Sequence, residues 1–490
     1  MLAWIHELVG SINGVLWGKV LVVLLVGAGL YFSVLTRVVQ VRLFAHTIGL
    51  IKHSRNGGGL EHGVSSFQAL ATSLAARVGT GNLAGVAIAI SVGGPGAVFW
   101  MWVTALVGMA TAFIESTLGQ VYKVAGENPG QFRGGPAYYI ERGLKQRWLG
   151  IIFAICLLIA FGFAFNAAQA NTIADALQTS LGWDTKWVGI GLVLLIAPII
   201  FSGIHRVGQV SEVIVPLMAL GYILIGLFVV ITHIADVPAA LLVIYKSAFG
   251  LDQVAGGVFG GLAAAMLNGI KRGLFSNEAG MGSAPNIAAA ATTVPKHPAV
   301  QGFMQMFGVF VDTLVICTVT AVIIILAGPE FYNPGSDDVQ GITLTQNALS
   351  TFVGDWGVHY ITIALFFFAF TSVLGNYSYG ESNIAYIAGR RNANIAIIVF
   401  RCCVLGVVYL GSVADLSTVW DYADLAMGMM ALINLVAILL LGSLALRVLK
   451  DYERQIKTKG IMDLSFNPAN FPIIGRGVDP KAWPVLDKDD

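Results

Sequence analysis

The chain has 490 residues, 56% of them hydrophobic and 11% charged, with a mean hydropathy of +0.77. Soluble domains are about a quarter charged, so that class is excluded and the sequence reads as an all-α polytopic membrane protein. A net charge of +1 offers no bulk attraction to nucleic acid, and none is expected as a partner.

A spanning helix needs about 20 apolar residues, and eleven transmembrane helices are predicted in chain order. They lie near 14–36, 65–91, 96–122, 148–178, 186–203, 208–233, 252–290, 299–327, 357–388, 393–412 and 418–447. The opening "MLAWIHELVGSIN" lacks a basic signal-peptide region, so the first helix is expected to be retained. The stretch 38–53 is short and basic on one side and reads as an interfacial helix. The tail after about 450 is polar with scattered prolines and is expected to be loosely ordered.

Basic residues set the orientation. Arg37, Arg42, Lys52 and Arg55 follow span 1; Lys123, Arg133, Arg142, Lys145 and Arg147 follow span 3. Arg206, Lys296, Arg390 and Arg391 follow spans 5, 7 and 9, and the tail is basic again. The alternate loops are nearly free of Lys and Arg, and the one near 328–356 carries Glu330, Asp337, Asp338 and Asp355. This predicts the N-terminus outside and the C-terminus in the cytoplasm.

Two spans contain Gly-rich polar interruptions. "ARVGTGN" (Ala76–Asn82) breaks span 2, and "NGIKRGLFSNEAGMGSAP" (Asn268–Pro285) breaks span 7. Unwound backbone inside a bilayer costs several kcal/mol per unpaired group, so it is expected only where protein or a polar cavity meets it. Paired interruptions in corresponding halves point to a transporter's binding site. Spans 2–6 (65–233) and 7–11 (234–447) then form two five-helix repeats of opposite orientation. Residues 1–36 add an N-terminal helix, 37–64 a cytoplasmic or interfacial segment, and 448–490 a cytoplasmic tail.

The polarity of the first break suggests its ligands. The half-helix starting near Gly81 aims free N–H groups and a positive dipole end into the membrane, which favours an anion. The half-helix ending near Ala75 and Val78 presents free carbonyls, which favour a cation. That pair of ends suits a zwitterion with an alkali ion, hence an amino acid with sodium.

At these residues the chain resembles the alanine or glycine:cation symporter family, also called sodium:alanine symporters. Three stretches carry the likeness: "VGTGNLAGVA" (78–87), "GGPGAVFWMWVTALVG" (93–108) and "RGLFSNEAGMGSAP" (272–285). The family resembles the amino acid–polyamine–cation transporters, built on the inverted repeat of the bacterial leucine transporter. The resemblance implies sodium-coupled import of alanine, glycine or a similar small neutral amino acid across the bacterial cytoplasmic membrane. It implies Na+ as coupling ion, no organic cofactor and no enzymatic activity.

It also implies roles for residues. Thr80 and Gly81 match the break whose amides hold the substrate carboxylate. Phe275 and Ser276 match the second break, and Met281 the position covering the substrate side chain. Asn166 and Gln169 share a face of the flanking helix, with Asn171 and Asp175 nearer the outside. Thr371 and Ser372 match the hydroxyl pair that joins the carbonyls of Ala75 and Val78 in a sodium site. Asp312, set in an apolar run, completes a second cation site with Asn82 and Ser276, pairs with Arg77, or accepts a proton. Glu115 and Arg401 read as buried structural ionic groups. Arg77, Lys271 and Arg272 crowd the breaks, with Glu278 or Glu381 as partners in gating salt bridges.

Rival classes have less behind them. "RVGTGN" has a loose likeness to a carbonyl-lined channel filter, yet it occurs once and inside a long span. The sequence holds no HExxH, no CxxC and no evident Ser/His/Asp set for an intramembrane enzyme. Its four cysteines, Cys156, Cys317, Cys402 and Cys403, sit in apolar runs and read as small core residues. Proton coupling, or serine or glutamine as substrate, stays an alternative.

Overall fold

A computed structural model describes residues 2–56, 63–126, 130–251, 258–332, 341–414, 416–460, 463–471 and 477–484. Asp337, Asp338 and the side chains of Arg55, Arg390 and Arg391 lie outside the described residues. The described chain is mostly helix, because a bilayer offers backbone groups no other partner. In chain order the principal helices are α1 (Glu7–Leu35), α2 (Phe44–Asn56), α3 (Ser66–Arg77), α4 (Gly81–Gly93), α5 (Gly96–Val121) and α6 (Pro136–Leu144). Then come α7 (Arg147–Leu181), α8 (Thr185–Phe201), α9 (Arg206–Thr232), α10 (Val237–Ala248), α11 (Val258–Asn277) and α12 (Ala284–Ala290). The last are α13 (Ala299–Ala327), α14 (Gly341–Val353), α15 (Trp356–Gly389), α16 (Ala393–Val413) and α17 (Val419–Lys459).

Among the described residues, 8 helices are long and apolar enough to cross a membrane, or 9 if the bent pair α3–α4 counts as one. Each of the eleven predicted stretches is largely helical, but α8 is shorter and the stretch 252–290 is divided between α11 and α12. Three helices escaped the sequence reading, the short α6 (Pro136–Leu144) in the loop after α5 among them. α10 is only 12 residues long, too short to span. α14 lies where an acidic loop was expected, and buries Ile342, Leu344, Ala348 and Leu349. The stretch 38–53 is helical, with the turn into it made by left-handed Arg37 and Val38.

The outer helices carry apolar residues outward, as lipid allows. On α9, Val213, Leu217, Leu220, Leu224, Leu227 and Ile231 are exposed at helical spacing. Inside, α5 packs against α1, α11, α12 and α13, and α7 packs along α15.

Both interrupted helices reach one end of the bundle. β1 (Val64–Ser65) pairs in parallel with β4 (Ala291–Thr292), so the first broken helix starts where the second one finishes. β2 (Val124–Ala125) and β3 (Phe132–Arg133) form an antiparallel pair, and a hydrogen bond from Arg142 to Gly477 (3.2 Å) ties the same loop region to the tail. The loops read as cytoplasmic from their basic residues therefore gather together.

The tail is the largest departure from expectation. It docks on that end instead of hanging loose. The Phe466 amide donates to the Lys296 carbonyl (3.0 Å), the Ala125 amide to Asp479 (3.0 Å), and Trp483 Nε1 to the Gln120 carbonyl (2.9 Å). Phe466, Phe471, Val478 and Trp483 are buried, and their apolar area offsets the entropy of ordering the segment.

Candidate functional site

A capping box fixes where α3 begins: Ser65 Oγ accepts from the Gln68 amide, and Gln68 Oε1 accepts from the Ser65 amide. The helix ends at Arg77, and α4 resumes at Gly81 at 51° to it, through a wide π-type turn at Gly81–Gly85. Glycine is required by close approach. A Cβ on Gly79 would sit 2.3 Å from Ser372 Oγ, and one on Gly81 would sit 2.8 Å from the Phe275 ring.

The unwound backbone meets side chains from other helices. Ser372 Oγ on α15 lies 2.9 Å from the Ala75 carbonyl oxygen and 3.3 Å from that of Val78. The Thr80 amide donates to Gln169 Oε1 on α7 (3.0 Å). The Gly79 amide donates to Asn82 Oδ1 (2.9 Å). Ser372 Oγ also bonds back to the Phe368 carbonyl of its own helix (2.9 Å), and the Thr371 hydroxyl bonds back to the Phe367 and Phe368 carbonyls, both at 3.0 Å, as helical threonines often do; only Ser372 reaches the break.

Asn82, at the start of α4, reaches across to α11 and α13. Its Nδ2 donates to Asp312 Oδ1 (2.7 Å), to the Asp312 carbonyl (3.2 Å) and to Ser276 Oγ (3.2 Å). Ser276 Oγ donates to Asp312 Oδ2, which also accepts from Thr313 (2.8 Å). All four side chains are fully buried. Asn82, Ser276 and Asp312 thus come together, with Asp312 bonded by three donors and paired with no cation among the described residues.

The second break is shorter than the stretch Asn268–Pro285 read from sequence and lies toward its far end, past Phe275 and Ser276. α11 continues through Asn277, so Phe275 and Ser276 are helical, and the non-helical stretch is 278–283. The left-handed residues decide it: Glu278, Gly280 and Gly282 all have φ between 58° and 87°, which helix cannot accommodate. The Gly280 amide donates to Glu115 Oε1 on α5 (3.2 Å), and Asn434 Nδ2 on α17 bridges Glu115 Oε2 (2.8 Å) and the Gly280 carbonyl (2.9 Å). Tyr139 donates to Asn434 Oδ1. Glu115 therefore braces a turn and pairs with no cation among the described residues. Met281 is buried in this turn, whose flanking glycines abut Leu435 and Asn434.

Asn166 follows a π-type turn at Leu158–Ala164. It donates to the Gly162 carbonyl (3.2 Å) and accepts from Asn376 (3.0 Å). Asn171 binds Gly411 and Ala414 carbonyls (3.1 and 2.7 Å), which makes it a tie between helices.

Arg77 is buried, and its Nη1 donates to the Gln305 carbonyl (3.1 Å). Lys271 and Arg272 do not meet Glu278 or Glu381. Both pair with Asp424 on α17, each at 2.5 Å, while Glu381 pairs with Arg401 (3.3 Å). Beside that clamp the rings of Phe165, Phe275 and Trp420 pack in a tilted row with centroids 4.4 and 4.6 Å apart, with the Arg272 guanidinium 4.7 Å from Trp420. Phe275 touches Gly81, so this aromatic layer adjoins the first break.

The arrangement, two broken helices in a polytopic bundle with buried hydroxyls and amides at the first break, is that of a carrier. Residues 2–466 match the sodium:alanine symporter family. The chain belongs to that family. The amino-acid carrier protein AlsT of Bacillus subtilis (strain 168) is 49% identical to this symporter over 473 residues, 96% of this chain and 97% of that one. The probable sodium/glutamine symporter GlnT of the same organism is 45% identical, covering 92% of both chains. The sodium/alanine symporter AgcS of Methanococcus maripaludis is 38% identical, covering 91% of this chain and 97% of that one.

Several residues around the symporter's breaks were missed from sequence. Cys317 Sγ lies 3.3 Å from Asn82 Nδ2 and 3.1 Å from Ser276 Oγ. It stands five residues after Asp312 on a π-wound stretch, Phe310–Cys317, where i and i+5 share a face; α-helical spacing hides the pair. Gln305 holds both Arg77 and Ser73 (2.6 Å). Asp424 and Asn434 sit in a span that otherwise reads as ordinary apolar helix.

Proposed function

We propose that this symporter imports a small neutral amino acid, alanine or glycine, together with sodium by alternating access. The observation that carries the reading is the meeting of Ser372 Oγ with the Ala75 and Val78 carbonyls at the first break. Neutral oxygens with no carboxylate suit a weakly held alkali ion. Thr371 joins them by turning its hydroxyl from its own helix. The substrate carboxylate takes the amides at Thr80 and Gly81, displacing Gln169 Oε1, and Asn166 flanks it. Phe275, Ser276 and Met281 face its amine and side chain. Asn82, Ser276 and Asp312 form a second cation site. No covalent chemistry is needed; the sodium gradient supplies the energy.

Spans 2–6 and 7–11, within 65–233 and 234–447, act as inverted repeats, preceded by the extra helix in 1–36 and the segment 37–64. Support comes from the two breaks and from the β1–β4 pairing, which makes the broken helices antiparallel. Eleven spans result when α8 and the α11–α12 pair are counted, with the N-terminus outside and the tail 448–490 at the cytoplasmic face of a bacterial inner membrane. The Asp424 clamp and the aromatic layer close the outer path.

Labelled alanine uptake in proteoliposomes with an imposed sodium or proton gradient tests this. Sodium-driven uptake, competed by glycine, is expected; uptake driven by protons alone removes the sodium claim. The name of the GlnT relative makes glutamine the second candidate, and stronger competition by glutamine than by glycine would establish it.

A further inference from the structure

The end of the bundle that carries the basic loops also carries an unexplained cationic hollow. A cavity of about 490 Å³ is lined by Arg447, Lys450, Asp451, Arg454, Asn470 and Phe471. Lys450 also lines a neighbouring cavity of about 180 Å³, with Leu35, Thr36, Arg37, Arg42, Leu446, Leu449 and Glu453. The two hollows share a wall between the ends of α1 and α17. Two of the cations are already matched: Arg454 with Asp451 (2.5 Å) and Arg42 with Glu453 (2.6 Å). Arg37, Arg447 and Lys450 are exposed and form no ion pair with any described residue, which leaves three positive charges on one small surface.

The surface above them is apolar in a continuous line. On α17, Val436, Leu440, Ser443, Arg447, Lys450 and Arg454 follow one another at steps of four and three, which places them on one helix face. Val436 and Leu440 are 43% and 64% exposed. Toward its end this face changes from apolar, through one serine, to three cations. α1 repeats the order, with exposed Leu35 two residues before Arg37. A soluble anion needs only the cations. The ordered change from apolar to cationic along both helices matches a molecule whose acyl chains lie along the bundle and whose headgroup is anionic.

We propose that the groove between the ends of α1 and α17 binds an anionic phospholipid, its phosphate held by Arg37, Arg447 and Lys450 and its chains lying along Val436 and Leu440. Such a lipid neutralises the three charges and joins the N-terminal helix to the last one.

Native mass spectrometry of the full-length protein in detergent tests the site, with phosphatidylglycerol, phosphatidylcholine or inorganic phosphate added. Phosphatidylglycerol adducts are expected to persist at collision energies that strip phosphatidylcholine. Each cation near a membrane surface contributes about 1 kcal/mol toward an anionic lipid, so the R37Q/R447Q/K450Q triple variant should weaken phosphatidylglycerol binding about 100-fold. The L440S variant keeps every charge and should weaken it as well, and K457Q/K459Q, beyond the groove, should not. K450Q alone substitutes if the triple variant is not recovered folded, with a smaller loss expected. Equal retention of the two lipids, an unaffected triple variant, or displacement of the lipid by millimolar phosphate without any effect of L440S would overturn the proposal.

Discussion

At the first break, the groups that meet the unwound backbone are neutral and come from single side chains: the Ser372 hydroxyl, the Gln169 amide and Asn82. At the second, a carboxylate does the work, with Glu115 accepting from Gly280 and from Asn434, which in turn holds the Gly280 carbonyl. The helix that follows the second break is held as well, since Gln120 and Lys123 both donate to the Ala291 carbonyl at 3.0 Å. Both breaks satisfy the backbone's need for partners inside the membrane. The first does it with single, exchangeable bonds and the second with a network that joins Glu115, Asn434 and Gly280. A ligand can replace the former at small cost, so the first break is suited to binding and the second to holding shape.

The largest effect should therefore follow from cutting the brace. Glu115→Ala leaves the Gly280 amide and Asn434 Nδ2 buried without an acceptor, at about 4 kcal/mol for the two. A large drop in apparent melting temperature in detergent is expected, with Glu115→Gln, which keeps one acceptor, falling in between. If E115A melts like wild type, the second break is not braced as described and the contrast between the two breaks collapses.

The breaks themselves were legible because clustered glycines beside a charge interrupt an apolar run that would otherwise continue as helix. Their partners were not. The Arg272–Asp424 pair joins residues 152 positions apart, and no local pattern announces it. The Asp312–Cys317 neighbourhood depends on π-winding, which shifts the shared face from i+4 to i+5. The second break reads too broadly from sequence, over Asn268–Pro285, because Lys271, Arg272 and Ser276 look out of place in a membrane helix. Left-handed Glu278, Gly280 and Gly282 mark the true position. In the tail, prolines drew attention away from Phe466, Phe471 and Trp483, which were the signal for docking.

The bracing of the second break extends to Lys123, outside the spans, and this gives a pH test. Burial pushes its ammonium down to about 7, with the Phe132 and Trp483 rings 4.1 and 4.5 Å away. In the unfolded chain a lysine titrates near 10.4. Between these values the unfolded state binds the extra proton, so stability rises with pH and is lost as pH falls toward 7. From pH 7 to 8.5 the gain is on the order of 1–2 kcal/mol from this group. Melting measured in detergent across that range should rise more for wild type than for Lys123→Met. Parallel curves would mean that the Ala291 carbonyl and the two rings keep the ammonium charged, and the hold on α12 is then stronger than burial alone suggests.

The smallest effect belongs to the first break and tests its exchangeable character. Ser372→Ala removes one hydroxyl from the Ala75 and Val78 carbonyls. Those carbonyls keep room for a water or an ion, so little stability should be lost. If sodium takes that hydroxyl as a ligand, its loss costs about one hydrogen bond, roughly 1.4 kcal/mol, and the sodium concentration for half-maximal uptake should rise about tenfold. Thr371→Ala is the internal comparison, because both hydroxyls bond back to their own helix but only that of Ser372 also meets the Ala75 and Val78 carbonyls. An equal rise for both variants means that Thr371 turns inward when the ion binds. A rise for Ser372→Ala alone leaves the ion held by the carbonyls and a single hydroxyl. A fall in melting temperature for Ser372→Ala comparable to that of Glu115→Ala would show that the first break, too, is braced for structure, and its partners would not be free to pass to a ligand.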